Sequence, residues 1–395
     1  MNYFEDIKPW RMNDEIISVT ENNEHLGQIV SGRRQEEKNI DLRLQKGRKS
    51  LFSLLGAGFA FKCNLSPTVK LHMFRTYTCP ILRSGLSSLS LRTAQLEPLA
   101  LFQRKALKSI LKLSKTASTP AIHFLTGELP IEGKIHKDIF SLFYSIWCNP
   151  DIKIHDIVKY LTQHSTENSR TWSAQLRHLC DRYGLENPFI LLCKDPPTKT
   201  EYKELVTTKI TVYFENELRQ LASTNSCMEY LNVSTFGLRG RYHPALSGMI
   251  NTREVQQSRS HLKFLTANYL TYKKKAEQSG GSPHCRICMN ESESICHVIS
   301  SCMGMAEQRE KLLSELEQLC TTTRNNIDFS MILSSEKVLC QFILDPCSLN
   351  LKQRVSLSDP VINNFFKFSR QYCYVIDQTR ISLLNHIRNE SSSSN

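Results

Sequence analysis

The stretch AQLEPLALFQRKALKSILKL, residues 94–113, settles the class of the fold. At about 100° per residue, Leu96, Leu99, Ala100, Leu107, Ile110 and Leu111 fall within a sector of about 120°. Arg104, Lys105, Lys108, Lys112 and Lys115 fall within about 100° on another side, so the spacing predicts a helix with one dry face and one basic face. The same period runs upstream from Glu37 to Leu55, where Ile40, Leu44, Leu51, Leu54 and Leu55 form the apolar set. Lys38, Arg43, Lys46, Arg48 and Lys49 are interleaved with them, and Gly56 and Gly58 end the helix. Between the two, Ser66-Pro67 is an N-cap followed by proline at the first helical position, which predicts a helix to about Tyr77 that Pro80 stops.

Downstream, Ile139 to Trp147 (IFSLFYSIW) is apolar on nearly all faces and reads as a buried helix, its aromatics core rather than stacking platform. Residues 170–275 read as mostly helical with breaks at Pro188, Pro196-Pro197 and Pro244. Trp172, Leu176 and Leu179 keep helical spacing, as do Leu262, Leu265 and Tyr269. A charged helix follows at about Gly304 to Cys320, with two or three more to Arg388. There is no βαβ alternation and no internal repeat; apart from a short strand expected within Glu24–Val30, the fold is mainly α.

The chain of 395 residues carries 50 Lys and Arg against 38 Asp and Glu, a formal charge of +12. Residues 31–115 alone hold 17 bases and four acids, so one block carries the basic character, which favours an anionic partner. A hydrophobic fraction of 40% excludes disordered and fibrous classes. The longest weakly polar stretch, Leu51 to Phe61, is too short to span a bilayer, and the N-terminus has no apolar signal core, so an intracellular protein of cytoplasm or nucleus without a membrane role is expected. In that setting the 14 cysteines are buried thiols or metal ligands.

One cysteine cluster has metal-site spacing: His284-Cys285-Arg-Ile-Cys288, then Cys296-His297 and Cys302. Two residues between Cys285 and Cys288 let one turn present two thiolates, and four between His297 and Cys302 suit a helix start closing the site from the other side. Cys285, Cys288, His297 and Cys302 are the expected ligands of a structural zinc ion, with Cys296 and His284 as rivals, in a small unit that folds only with metal. No catalytic constellation accompanies it. Walker-type loops, nucleophile elbows and His-Glu-x-x-His are absent, Asp-Asp occurs nowhere, and Asp345 and Asp359 are lone carboxylates without a partner at a defined spacing. His123, His136, His155 and His164 read as ordinary core or surface histidines.

Several segments now line up in a familiar order. Glu24-His25-Leu26-Gly27, Ile40-Asp41-Leu42-Arg43-Leu44, Leu65-Ser66-Pro67 to Lys70-Leu71, Thr78-Cys79-Pro80-Ile81-Leu82-Arg83-Ser84-Gly85 and Leu96 to Leu113 resemble the end of the palm and the thumb of a non-LTR (LINE-like) retrotransposon reverse transcriptase. Thr119-Pro120, Gly127-Glu128-Leu129-Pro130-Ile131, Leu262 to Thr266 with Tyr269, and the Cys285, Cys288, His297, Cys302 knuckle resemble the region after the thumb. That family is an RNA-directed DNA polymerase whose acids sit upstream in a Tyr-x-Asp-Asp-like turn, so the resemblance implies a chain that starts after the active site and is inactive alone. It also departs at Ser84-Gly85, where the family usually has Tyr-Gly; the family's apurinic-type endonuclease would lie further upstream, and no acid and lysine set matches the restriction-like endonuclease that some relatives carry after the knuckle.

The implied organisation is a palm remnant over 1–35, a basic helical thumb over 36–115, a helical connection over 116–276, a linker and CCHC knuckle over 277–303, a C-terminal helical region over 304–388 and a disordered tail over 389–395. The implied partners are RNA and DNA, a template-primer duplex on the thumb and RNA or target DNA on the knuckle. Arg104, Lys105, Lys108, Lys112, Lys115, Arg43, Lys46 and Lys49 are the expected phosphate contacts. The alternative is a free-standing helical zinc protein that docks an acidic protein partner.

Overall fold

A computed structural model of the chain describes residues 11–12, 15–16, 20–54, 56, 65–164, 169–225, 228–233, 237–322, 328–348 and 359–393. The only strands among them are two antiparallel hairpins, β1 (Arg11–Met12) with β2 (Glu15–Ile16) and β3 (Asn22–His25) with β4 (Gln28–Ser31). The single strand expected over Glu24–Val30 is therefore two strands of a hairpin, split by a turn at Leu26-Gly27. Leu26 and Gly27 take φ of 48° and 76°, the left-handed pair that a two-residue loop between twisted strands requires.

The rest is helix. In α1 (Gln35–Leu54), Ile40, Arg43, Leu44 and Gly47 form the buried face, and Asn39 clamps the second hairpin by bonding both the N–H and the C=O of Ile29. Gly58 and Leu55 lie outside the described residues. Ser66 caps α2 (Pro67–Met73) as expected, its Oγ accepting from the Val69 N–H at 3.4 Å. Pro80 does not stop the chain there. A π turn over Phe74–Thr78, closed by the Cys79 N–H on the Phe74 carbonyl, restarts the helix as α3 (Cys79–Arg83), so the missing N–H of Pro80 falls in a first turn that has no use for it.

The helix read from residues 94–113 is α4 (Thr93–Leu111), ended by Lys112 at φ 58°. It packs on α1, α2, α5 (Thr119–Thr126) and α6 (Ile131–Trp147), whose Ile139, Phe140, Phe143, Ile146 and Trp147 are buried as core. Next come α7 (Lys153–His164), α8 (Trp172–Tyr183), α9 (Pro188–Leu191) and α10 (Lys199–Ser223). Leu176 and Leu179 are buried on α8, and α7 turns Ile154, Ile157, Tyr160 and Leu161 outward.

Beyond α11 (Thr252–Leu265) the expected helical register fails for Tyr269. Ala267 at φ 48° and the Asn268 N–H on the Lys263 carbonyl close the helix first, and Tyr269 folds back to stack on Phe264 at 3.8 Å. The expected linker from Glu277 starts late, because α12 (Tyr272–Ser279) takes its first three residues and leaves Gly280–Pro283.

Four further helices follow among the described residues: α13 (Ala306–Thr322), α14 (Phe329–Ile332), α15 (Glu336–Leu344) and α16 (Asp359–Ser393). The tail expected to be disordered from Asn389 continues α16 to Ser393. At 35 residues, α16 is the longest element described; it lies along α11 and touches α13 and α15. The buried apolar residues form one continuous set from Ile40 to Ile376. No helix among the described residues is long and apolar enough to cross a membrane.

Candidate metal centre

The local chain path explains how four distant ligands meet. Residues 283–293 form a narrow loop, held by the Cys285 N–H on the Glu291 carbonyl and the Glu293 N–H on the Pro283 carbonyl. Within it the Met289 N–H closes on the Cys285 carbonyl, with Met289 at φ 59°, so that Cys285 and Cys288 share one turn. The second pair sits on a π turn over His297–Ser301. Its Cys302 N–H reaches the His297 carbonyl at 2.8 Å, which is why a four-residue spacer brings imidazole and thiol to one side. Gly304 lets the two halves close, because a Cβ there would lie 2.2 Å from Cγ2 of Ile287.

Cys285 Sγ lies 3.8 Å from Cys302 Sγ, and Cys288 Sγ lies 3.4 Å from His297 Nε2. All four ligand atoms are within 4.8 Å of one another. Bonds of about 2.3 Å from a tetrahedral ion to sulfur put two sulfurs about 3.8 Å apart, so the four groups can hold a metal ion. The hydrogen bond from Cys302, with that from His297, pushes the Cys285 thiol down to about 3. The His297 imidazole is raised to about 9 by Cys285 and Glu291. Protons thus do between these groups what an ion would do in their place. The twelve described cysteines form no disulfide.

Neither rival ligand enters the cluster. Cys296 points to Ser300 and Cys340, and His284 is exposed in a bridge with Ser292. Glu291 holds Nδ1 of His297 at 2.9 Å, fixing the ring so that Nε2 faces the thiols.

The centre is embedded rather than carried on a detached module. Cys285, Cys302, Val298 and Ile299 are fully buried, and Tyr372 of α16 donates to the Ile299 carbonyl at 2.8 Å. Arg380 of α16 grips Glu293 with two bonds, Nε to Oε1 at 3.0 Å and Nη2 to Oε2 at 2.8 Å, and both side chains are buried. The Tyr272 N–H donates to the same carboxylate at 2.6 Å, and Arg286 of the thiolate turn stacks on the Tyr272 ring. Tyr269 receives Arg380 Nη1 and donates to Asp377, which also accepts from Ser260 of α11.

Sequence reasoning missed Glu291, Glu293 and Arg380. Glu291 and Glu293 lie inside the cluster and carried a signal, as acids beside a ligand histidine; Arg380 carried none.

The expected phosphate contacts divide. Arg43 is buried and donates to the Gly27 carbonyl, so it is a fastener of the hairpin and not a surface cation; its place on the Ile40, Leu44, Gly47 face was readable from the helical period. Lys46 pairs with Glu24 and half-buried Arg104 with Glu97. Lys108, half-buried, donates to the Lys115 carbonyl, and burial followed by the nearby Arg104 lowers its pKa. Lys49, Lys105 and Lys115 are exposed, and Lys112 is half-buried.

Asp345 is fully buried, accepts from the Asn232 and Cys347 N–H groups, and is pushed up to about 7 by burial, which is a structural role. The side chain of Asp359 lies outside the described residues. His123 and His136 are core groups bonded to the Glu128 carbonyl and the Tyr183 hydroxyl. No family model, curated protein or solved structure matches the chain.

Proposed function

We propose that the chain is a nucleic-acid-binding protein, a zinc-stapled helical body similar to the thumb and connection of a non-LTR retrotransposon reverse transcriptase, which binds RNA or DNA without copying it. The observation that carries it is the packing of α1 on α4, which makes neighbours of the two basic helices and leaves Arg48, Lys49 and Lys105 exposed on them, with exposed Lys115 in the turn after α4. They belong to the block of 17 bases against four acids, a charge that suits phosphate contacts positioning a duplex without reading its sequence. Zinc is the metal that the centre suits, since three thiolates and an imidazole in a closed tetrahedral set favour it over oxygen-seeking cations, and no position is left for a reactive water.

Binding of a labelled duplex at about 50 mM salt, repeated as salt is raised, tests the reading. Affinity falls steeply with salt if it holds, and binding that is absent or insensitive to salt refutes it. Primer extension with nucleotides and metal on this chain gives no product.

A second reading, docking of a protein partner, has its own support in the outward stripe Ile154, Ile157, Tyr160 and Leu161 on α7. Lys105→Glu with Lys115→Glu separates the two, both positions being exposed. Loss of duplex binding favours the first, and loss of a protein partner alone favours the second.

A further inference from the structure

Three adjoining depressions cross the molecule along α6, away from the residues expected to contact phosphate. The first, of about 530 Å³, lies over Lys134 and Lys137 of α6 and Thr207, Thr208 and Thr211 of α10. It shares Lys137 and Thr207 with a second of about 280 Å³, and that one shares Arg83, Asp138 and Ser141 with a third of about 430 Å³ beside α3. Together they form one groove, walled by α10 on one side and α3 on the other, with seven cations on its lining against three carboxylates.

The cations fall in two groups. Arg75 and Lys134 share the buried Glu128, and Arg83 holds Asp138 at 2.6 Å; these pairs build the walls. Lys137, Lys199, Lys203 and Arg239 make no ion pair among the described residues.

Two of those placements work against stability. Lys199 is the first residue of α10, where the positive end of the helix dipole repels an ammonium. Lys137 is half-buried among Lys134, Arg83 and Lys203, and burial followed by their charge pushes it down to about 8. Cations kept where the protein itself repels them are accounted for by an anion that comes from outside.

The remaining lining narrows the class of anion. Hydroxyls recur along the groove, Thr207 and Thr208 at one end and Ser84, Ser87 and Ser145 at the other, as donors to phosphate oxygens. The middle depression is lined by Phe140, Tyr144 and Tyr202, where Tyr144 is half-buried and stacks on Tyr202 at 5.0 Å, an aromatic wall of the kind on which a base rests. We propose that the groove between α3, α6 and α10 binds a single strand of nucleic acid, its phosphates on Lys137, Lys199, Lys203 and Arg239 and a base against Tyr144.

The surface is separate from the α4 face, so its test stands apart from the reading above. The probe is a fluorescein-labelled single-stranded RNA of about 12 nucleotides, titrated by anisotropy at several salt concentrations against the full chain. Lys199→Gln with Lys203→Gln, both exposed, should weaken binding about tenfold and lower the slope of log affinity against log salt by about 1.4, two phosphates at about 0.7 each. Lys137→Gln should act in the same sense with an unchanged melting temperature, and Lys105→Glu with Lys115→Glu should leave the single strand bound. Parental affinity and slope in the Lys199, Lys203 variant would overturn the proposal, as would an effect confined to a Lys137 variant with altered melting. Displacement of the strand by inorganic pyrophosphate at equal concentration also overturns it, since the groove is then a site for a small phosphate.

Discussion

Replacing Arg380 by methionine isolates the clamp on the metal loop. The substitution keeps an apolar stem of similar length along the Tyr269 ring and removes both bonds to Glu293. Glu293 is fully buried, and once the guanidinium is gone its carboxylate keeps the Tyr272 N–H at 2.6 Å and the Cys285 sulfur at 3.9 Å, neither of them a cation. Stranding one member of a buried ion pair costs about 3–5 kcal/mol, so the urea midpoint of the metal-loaded protein should fall accordingly. Adding Glu293→Gln removes the stranded charge while keeping an acceptor for Tyr272, so the double variant should be more stable than Arg380→Met alone. Zinc release to a colorimetric chelator supplies an independent readout, because the loop that the clamp holds also carries Cys285 and Cys288; release should be faster in the single variant. A loss below about 1 kcal/mol, or a double variant whose cost equals the sum of the two singles, would refute the assignment of Arg380 as the clamp.

Acid should unfold the protein well above the pH at which carboxylates are protonated. Burial pushes His123 and His261 down to about 4 and His136 and His243 to about 3, below the value of about 6.5 for a free imidazole, so their contribution is whole above pH 6.5 and is lost as pH falls toward 4. Each loses on the order of 2 kcal/mol by pH 5, and Asp345, raised by burial to about 7, returns about 2 over the same range; thermal melts at pH 7.5 and 5 should differ widely, and equal melts would contradict the buried neutral imidazoles. Native mass spectrometry should find one zinc per chain, and Cys302→Ser should abolish it while Cys296→Ser should not. Gly304→Val should force Ile287 away from the second ligand pair and lower zinc retention, read by the same chelator assay.

The ligand set was legible because two tight turns are local: a Cys-x-x-Cys turn and a His-x4-Cys π turn need no knowledge of the rest of the chain. The buried helices were legible for the same reason, as periodicity alone assigns Leu96, Leu99 and Leu107 or Phe140 and Phe143 to the core. What escaped was set by backbone geometry or by distance. Pro80 reads as a stop until a π turn precedes it, and Tyr269 keeps the spacing of α11 although Ala267 has already turned the chain out of the helix. Arg43 counts as a surface cation in a charge tally and as a core residue in a helical wheel, and the wheel is the better guide. The groove along α6 depends on α3 and α10 meeting it from segments well before and well after it in the sequence, which no local pattern contains.

Glu293 and Arg380 are 87 residues apart. During synthesis at about 5–20 residues per second, the metal loop therefore leaves the ribosome roughly 4 to 17 seconds before its clamp exists. In that interval the thiolate turn has neither Arg380 nor the Tyr372 bond to the Ile299 carbonyl, and an ion captured by the nascent chain exchanges freely. Docking of α16 then acts as a latch on the loop that carries Cys285 and Cys288, so an ion bound there would be released more slowly once Arg380 and Tyr372 are in place.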